Sequence, residues 1–587
     1  MTVRIYYDGD CPFCSRYVRY LRLQAASGTP ELINLRSAHE DRAALEKQGF
    51  DLDQGMVAEV DGQFYGGQDA VHVLALLSSS SGLFNRLNTL LFSIRWVALL
   101  VYPLLRAGRN ATLFLLGRAP IQTESPQSRE VFRFFSLLFG FFAVMHFAIY
   151  AFRFESGLYL STVLILPLGL ALFLWPGSRR LFLLLVMVMA IDAWLQAPMN
   201  SNHTILKNFF LLAILFSGLW VWLRGGRWQD FFEGFFPVGR SLLLIMYFFG
   251  VFHKINTDFI NPEISCAVML WREMPAWISM FDNAFVHYSG IYATFLIEIL
   301  IVVCLLIPVL RHAGIVIGIL FHAFLALSGY ALFPTFSTIS LMLHVLFLSP
   351  AAVSGIVHSP GFNAFWSRLH TPAGYLLALA WLLVFFLAAW ARHFDGAAMI
   401  WLPLALGLLY LIVRYGRSRL RPPGFSLLWA RPHWLNVVTL AFFFSCAAPY
   451  LGLKTAQSMN MFANLHLEGG YSNHLVLRQP PGPFTYLEDT VQILDASGSE
   501  RLRRLQGQGR HMVYYDLLNE LERHPEAVVT YIRGGSRYEK MSAARLEEDI
   551  DRLLHPRWFR KWFHFYVIDF EQPRLCRGGA VSRILSD

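Results

Sequence analysis

Apolar and polar positions divide this chain into three stretches of different texture. Up to about residue 80, short apolar runs alternate with charge. Val3-Arg4-Ile5-Tyr6-Tyr7 reads as a strand, and Tyr17, Val18, Tyr20 and Leu21 recur at helical spacing among Arg16, Arg19 and Arg22. Residues 31–35 read as a second strand. Residues 56–60 and 63–65 flank Asp61-Gly62, the dipeptide of a tight hairpin turn, and a helix is expected over 69–77. The sum is a small βαβ-β-α unit, soluble by its charge pattern. Asp8 and Asp10 stand where an apolar leader would continue, so no signal peptide is expected.

Beyond the linker 78–82, residues 87–105 are apolar but carry Arg95, with Arg86 and Arg106 at the flanks. This segment reads as amphipathic, lying on a membrane surface or on the first domain rather than spanning. From Val131 the apolar runs become continuous. Spans are expected near 131–152, 158–177, 181–198, 204–223, 240–255, 287–310, 312–331, 336–350, 373–391, 398–414 and 434–452, about nine to eleven in all. The composition fits: 55% hydrophobic, 15% charged, with 51 Phe and 16 Trp. Soluble domains carry about 25% charge, so a single water-soluble enzyme, a disordered chain and a disulfide-stapled scaffold are all excluded. Basic residues outnumber acidic ones, 49 to 40. Arg106 to Arg133, Arg179-Arg180, Arg224 with Arg227, Arg311, Arg368, and the run Arg414, Arg417, Arg419, Arg421 and Arg431 fall in loops on one side of this register. By the positive-inside rule that side is cytoplasmic, with the N-terminal domain, and residues 454–587 are outside. This tail is polar again, with strands expected at 491–494 and 528–532 and helices at 517–521 and 543–554. The fold class is therefore a polytopic α-helical membrane protein with an N-terminal α/β domain and a C-terminal α+β extramembrane domain. No nucleic-acid or metal-binding pattern is present.

Chemistry concentrates at two places. Asp8-Gly9-Asp10-Cys11-Pro12-Phe13-Cys14 follows a strand and opens a helix. That position puts Cys11 at a helix N-terminus, which favours a thiolate, with Cys14 able to resolve a mixed disulfide. Half a metal site, or two inert thiols, are the bland alternatives. Asp10-Cys11-Pro-Phe-Cys14, Asp61-Gly62, Tyr65-Gly-Gly-Gln-Asp-Ala70, Tyr102 to Arg109 and Gly117-Arg118 resemble the DCC-type (DUF393) thiol–disulfide oxidoreductases. The resemblance covers residues 1–118 and implies a thioredoxin-like fold with a redox-active Cys11–Cys14 disulfide and a thiol reductant as partner. Gln54-Gly55-Met56 occupies the place of the cis-proline of thioredoxins proper.

The second place is Phe248-Phe-Gly-Val-Phe-His253-Lys254-Ile-Asn256-Thr-Asp258-Phe259. Spacing alone favours a lysine snorkelling from a helix end. Lys254 to Phe259, Glu298, Phe321-His322, Leu332-Phe333-Pro-Thr-Phe336, Met461-Phe-Ala-Asn464 and Gly469 to Leu475 are similar to the vitamin K-dependent γ-carboxylases and their bacterial HTTM relatives. That resemblance, from about residue 129 onward, implies a bundle over 129–453 with Lys254 as a base that deprotonates a reduced, vitamin K-like quinone. His253, Asn256, Asp258, Glu298 and His322 are then supporting residues, and Phe252 and Phe259 contact the quinone. Such a lysine must be a neutral amine, which desolvation among phenylalanines favours. Glu298, a carboxylate within an apolar run, needs a partner, Lys254 or Arg272. Cys266, Cys304, Cys446 and Cys576 read as isolated thiols. Three functions follow: a γ-carboxylase-like enzyme fused to a thiol-redox domain, a quinone-linked thiol–disulfide oxidoreductase, or a non-enzymatic lipid-binding scaffold. Each is placed in the bacterial inner membrane, with the bilayer and a quinone as partners.

Overall fold

The computed structural model describes the chain apart from residues 1, 25–27, 49, 51, 53–54, 80, 117, 119–120, 122–125, 154–158, 198–201, 225–227, 329–332, 391–393, 417–426, 461, 480–481, 554–556, 561, 574–575 and 577–587. Gln54, Gly117, Arg227, Leu332, Arg417, Arg419, Arg421 and Met461, all named above, lie outside the described residues. Two compact units emerge: residues 1–129 with 215–235, and residues 130–214 with 236–587.

The first unit runs β1 (Val3–Tyr7), α1 (Pro12–Tyr20), β2 (Glu31–Asn34), α2 (His39–Lys47), β3 (Val57–Val60), β4 (Gln63–Gly66), α3 (Gln68–Leu76), α4 (Gly82–Phe92) and α5 (Arg95–Leu115). Its sheet has the order β2-β1-β3-β4, with β1 parallel to β2 and the other pairings antiparallel. Asp61 and Gly62 turn the β3–β4 hairpin with φ of 49° and 81°, the left-handed pair this two-residue loop requires. Alternation along β1 buries Val3 and Ile5 against Val18, Ala58 and Leu74. Helix α2 was not expected: only Leu45 of its nine residues is buried, so no apolar period announces it. The segment 87–105 forms parts of two helices broken at Ser93-Ile94. Phe92 and Ala98 join the domain core while Leu90, Trp96 and Leu104 point outward.

The second unit contains α6 (Pro126–Arg153), α7 (Leu160–Leu174), α8 (Arg179–Leu195), α9 (Asn202–Arg224), α10 (Trp228–Phe252), α11 (Thr257–Ile260), α12 (Cys266–Arg272), α13 (Ala276–Ser279), α14 (Ala284–Leu306), α15 (Arg311–Ala326), α16 (Phe333–Val345), α17 (Pro350–Val357), α18 (Pro360–Leu369), α19 (Pro372–Trp390), α20 (Phe394–Tyr415) and α21 (Asn436–Ala447); α9 and α10 each extend into the first. Among the described residues, four helices are long and apolar enough to cross a membrane, within α6, α9, α10 and α14. The number becomes five if α16 and α17, bent by 116°, form one span. Of the nine to eleven expected spans, four to five meet this test among the described residues. Hydropathy runs on through turns, whereas helix length does not: α7 has 15 residues and α15 has 16. The run over 181–198 becomes α8, 17 residues that bury Asp192. Outward-facing Phe285, Leu296, Ile299 and Val303 leave α14 with an apolar exterior.

After α21, residues 454–474 form an irregular, buried, polar segment. The chain then builds an antiparallel sheet, β6-β5-β7-β8, from β5 (Thr490–Ser497), β6 (His511–Val513), β7 (Val528–Arg533) and β8 (Ser536–Ser542). Its inner face packs Val491, Ile493 and Tyr531 against Leu517 and Leu521 of α23 (Tyr514–Arg523), which follows α22 (Glu500–Leu505). One expectation is overturned here. Cys266 and Cys576 are not isolated thiols but form a disulfide across 310 residues. Their distance in sequence hid a contact that only the fold creates.

Candidate functional site

The first site closes the β1–α1 connection. The Cys11 N–H donates to the Asp8 carbonyl at 3.2 Å, and the Cys14 N–H donates to Cys11 Sγ at 3.1 Å, so the cysteine itself caps α1. Pro12, the first helical residue, lacks the N–H that would go unpaired there. Gly9 admits the side chain of Asn34, which a Cβ would approach to 2.2 Å. Asp8 is buried and takes two hydrogen bonds from Arg36, at 2.8 and 3.2 Å, and one from Arg109 at 3.0 Å. Burial would raise its carboxyl, but these two cations outweigh that and hold it below the usual carboxylate range.

Both thiols are reduced and buried, with Leu113 of α5 packed on them. A hydrogen bond from the Cys14 thiol is the main cause that brings Cys11 down to about 6; desolvation opposes it, and the charge of Arg109 adds to it. Cys14 is pushed up, by the same hydrogen bond and by burial. The division of labour is that of a nucleophile and a resolving thiol. Sequence reading found both cysteines and the segment Tyr102 to Arg109 but not the roles of Asp8 and Arg36. A buried carboxylate ahead of the motif is invisible until β2 delivers its partner.

The second site lies in the second unit. Phe252 ends α10, and the next turn is held by Asn256, whose Oδ1 accepts from the Phe259 N–H at 2.8 Å. Its Nδ2 donates to the carbonyls of His253 and Ala463 at 2.8 and 2.6 Å. Lys254 Nζ then donates to Glu298 Oε1 at 2.6 Å and lies 5.9 Å from the Phe259 ring centroid. Both partners line a cavity of about 470 Å³, with Phe259, His322, Tyr247, Phe336 and Trp271 among its walls. Glu298 Oε2 has no hydrogen-bond partner among the described residues, and a Cβ on Gly250 would stand 3.2 Å from it. Tyr247 Oη lies 2.9 Å from His322 Nε2 and 3.2 Å from His344 Nε2. The Ser340 carbonyl can only accept, so His344 carries its proton on Nδ1, 2.7 Å away.

Four named residues stand elsewhere. His253 is spent on structure, its Nδ1 accepting from the Tyr450 hydroxyl at 2.8 Å and its Nε2–H donating to the Ser458 carbonyl at 2.9 Å. Asn256 is the hub of the turn just described. Phe252 packs on Tyr450 and His474 rather than on the cavity, and Asp258 accepts from Thr257 Oγ1 at 3.0 Å, outside the lining. Arg272, the alternative partner for Glu298, pairs with Asp282 at 3.5 Å. Trp271 is an unforeseen lining residue, His203 lines the cavity as well, and Asn464 steadies the wall by accepting from the Cys266 N–H at 2.9 Å.

Residues 5–114 match the family model of the DCC1-like thiol-disulfide oxidoreductases. The N-terminal part of the chain is therefore a DCC1-like thiol–disulfide oxidoreductase domain, carried by a mainly helical protein with four to five apolar candidate spans and a C-terminal sheet region. No curated protein and no solved structure matched the chain.

Proposed function

We propose that this protein is a membrane-embedded thiol–disulfide oxidoreductase whose Cys11 attacks disulfides and whose Cys14 resolves the mixed disulfide. The observation that carries the reading is Cys11 at the N-cap of α1, receiving the Cys14 N–H within a family-matching domain. Incubating the reduced, detergent-purified protein in glutathione buffers of rising oxidised fraction, followed by mass mapping, tests it. A reversible Cys11–Cys14 disulfide, lost in Cys14→Ser, is expected. No disulfide at any ratio of oxidant would defeat the reading.

A second reading is favoured by the cavity. Lys254 and Glu298 form a proton-handling pair facing a lipid-soluble ligand with an acidic hydroxyl, such as a reduced quinone, as the γ-carboxylase resemblance suggests. Such a ligand would supply two electrons and two protons. Transfer of a proton from Lys254 to Glu298 leaves both groups neutral, the amine then free to accept one from the ligand. Phe259, Phe336 and Trp271 would stack on its ring. Binding of menadiol to the protein in nanodiscs, followed by quenching of Trp271, is expected to weaken at least tenfold in Lys254→Met. Equal quenching in wild type and variant removes the pair from this role.

The apolar exterior of α14 supports placement in a bilayer, and the run of arginines supports a cytoplasmic N-terminal domain. The Cys266–Cys576 bond suits an exterior, oxidising compartment for the C-terminal domain, as in a bacterial inner membrane. Impermeant maleimide on intact cells should spare Cys11.

A further inference from the structure

Thiol exchange needs an activated sulfur and a route to it, and one helix governs both. Along α5, Ala98, Tyr102, Arg109 and Leu113 follow at steps of four, seven and four residues and so share one face. Ala98 enters the domain core, and the Tyr102 hydroxyl lies 1.8 Å from where a Cβ on Gly55 would be. Gly55 occupies the segment that would meet an incoming peptide strand in a thioredoxin-like fold, so that place is taken by α5. Leu113 packs over both cysteines, and Cys11 retains 0% of its surface.

Arg109 sits between these contacts, 6% exposed. Its Nη2 lies 3.0 Å from Asp8 Oδ2, yet Asp8 already receives two hydrogen bonds from Arg36. Asp8 is thus shared by two guanidinium groups, that of Arg109 on the more buried side. Asp10 meets only Arg36, at 3.6 Å and from the exposed side. The charge of Arg109 also favours the thiolate of Cys11. The titratable groups around Cys11 include Cys14 on α1, Tyr7 and Asp8 at the end of β1, and Tyr102 and Arg109 on α5.

Building on the thiol-exchange reading, we propose that Arg109 assists Cys14 in holding Cys11 as a thiolate, and that α5, carrying both Arg109 and Leu113, restricts the dithiol to low-molecular-weight disulfides. A small disulfide needs the Leu113 side chain to move while α5 stays in place. A folded protein must lift α5, which withdraws Arg109 and switches off the nucleophile it has uncovered. In the reaction, the Cys11 thiolate attacks one sulfur of RS–SR, forming Cys11–S–S–R and releasing RS⁻. Cys14, losing its proton, then attacks Cys11 Sγ and releases the second RS⁻. Two electrons pass from the dithiol to the small disulfide, and two protons convert both leaving groups to thiols.

The test uses the full-length protein in detergent, with oxidised glutathione as the small disulfide and insulin as the protein disulfide. Oxidation of Cys11–Cys14 by glutathione disulfide is expected, with insulin reduction at least tenfold slower. Iodoacetamide alkylation of Cys11 at pH 6.5 should fall about threefold in Arg109→Gln, its pH midpoint rising by about one pH unit, and the loss should approach tenfold well below both midpoints. Arg109→Lys, which keeps the charge, should restore most of the rate. Since Arg109→Gln leaves Asp8 with one partner fewer, Asp8→Asn/Arg109→Gln is the folded control, and it should show the same raised midpoint. An unchanged midpoint in this double variant overturns the role of Arg109, and insulin reduced as fast as glutathione disulfide overturns the restriction by α5. If neither disulfide oxidises the wild type, the exchange reading itself fails.

Discussion

Lys254 Nζ and Glu298 Oε1 lie 2.6 Å apart, one from the turn after α10 and the other from the middle of α14, and each is more than nine-tenths buried. A cation and an anion removed from water together form a unit that tolerates loss of both better than loss of one.

Glu298→Ala alone should therefore destabilise the helical unit by about 3–5 kcal/mol, the usual result of orphaning a buried charge. Lys254→Met/Glu298→Leu should recover much of that. Thermal unfolding of the three variants in one detergent, read by far-UV circular dichroism, provides the comparison. Strictly additive losses would contradict a coupled pair.

Cys14→Ala removes the hydrogen bond that does most to bring Cys11 to about 6. Alkylation of Cys11 should then titrate at higher pH, and at pH 7 it should slow several-fold, because only the thiolate reacts. The backbone N–H of residue 14 survives the change, so the midpoint should stop short of that of a free thiol.

Acid should loosen the C-terminal sheet through Asp516, which is buried against Arg501 at 2.5 Å. Burial alone would raise this carboxyl, but the charge and hydrogen bonds of Arg501 lower it overall. A depressed carboxyl stabilises the fold fully above its unfolded value, near 3.8, and the contribution is lost as pH falls through the lower folded value. Unfolding monitored by near-UV circular dichroism below pH 4 should show this loss in wild type, with a weaker pH dependence in Asp516→Asn.

Reduction of Cys266–Cys576 should lower stability by about 2–4 kcal/mol, since the bond closes a long loop of the unfolded chain. Non-reducing peptide mapping should recover the two cysteines in one cross-linked fragment. Cys266→Ser should give the reduced behaviour with or without dithiothreitol.

Much of this architecture is legible in local sequence. Val3 to Tyr7, the Asp61-Gly62 turn and the helix opened by Cys11 carry periodicity or turn chemistry within a few residues. Glu298 stands out as a charge inside an apolar run, whereas Lys254 and His322 are marked by the γ-carboxylase resemblance. Hydropathy did not reveal helix lengths: the run over 336–350 contains no sign that α16 and α17 bend by 116° at Ser349-Pro350 beyond the proline itself. Nor did it reveal long-range partners. Arg109 reaches Asp8 across 101 residues and Cys576 reaches Cys266 across 310, and only tertiary packing makes those encounters.

That last bond sets an order on biosynthesis. A ribosome must have made residue 576 before Cys266 can be tied, so α12, which walls the cavity, waits through most of translation without its covalent clasp. A nonsense codon between the two cysteines leaves the Cys266 thiol without the partner it has in the finished chain. Such a thiol stays open to mixed-disulfide formation, whatever remains of the C-terminal sheet.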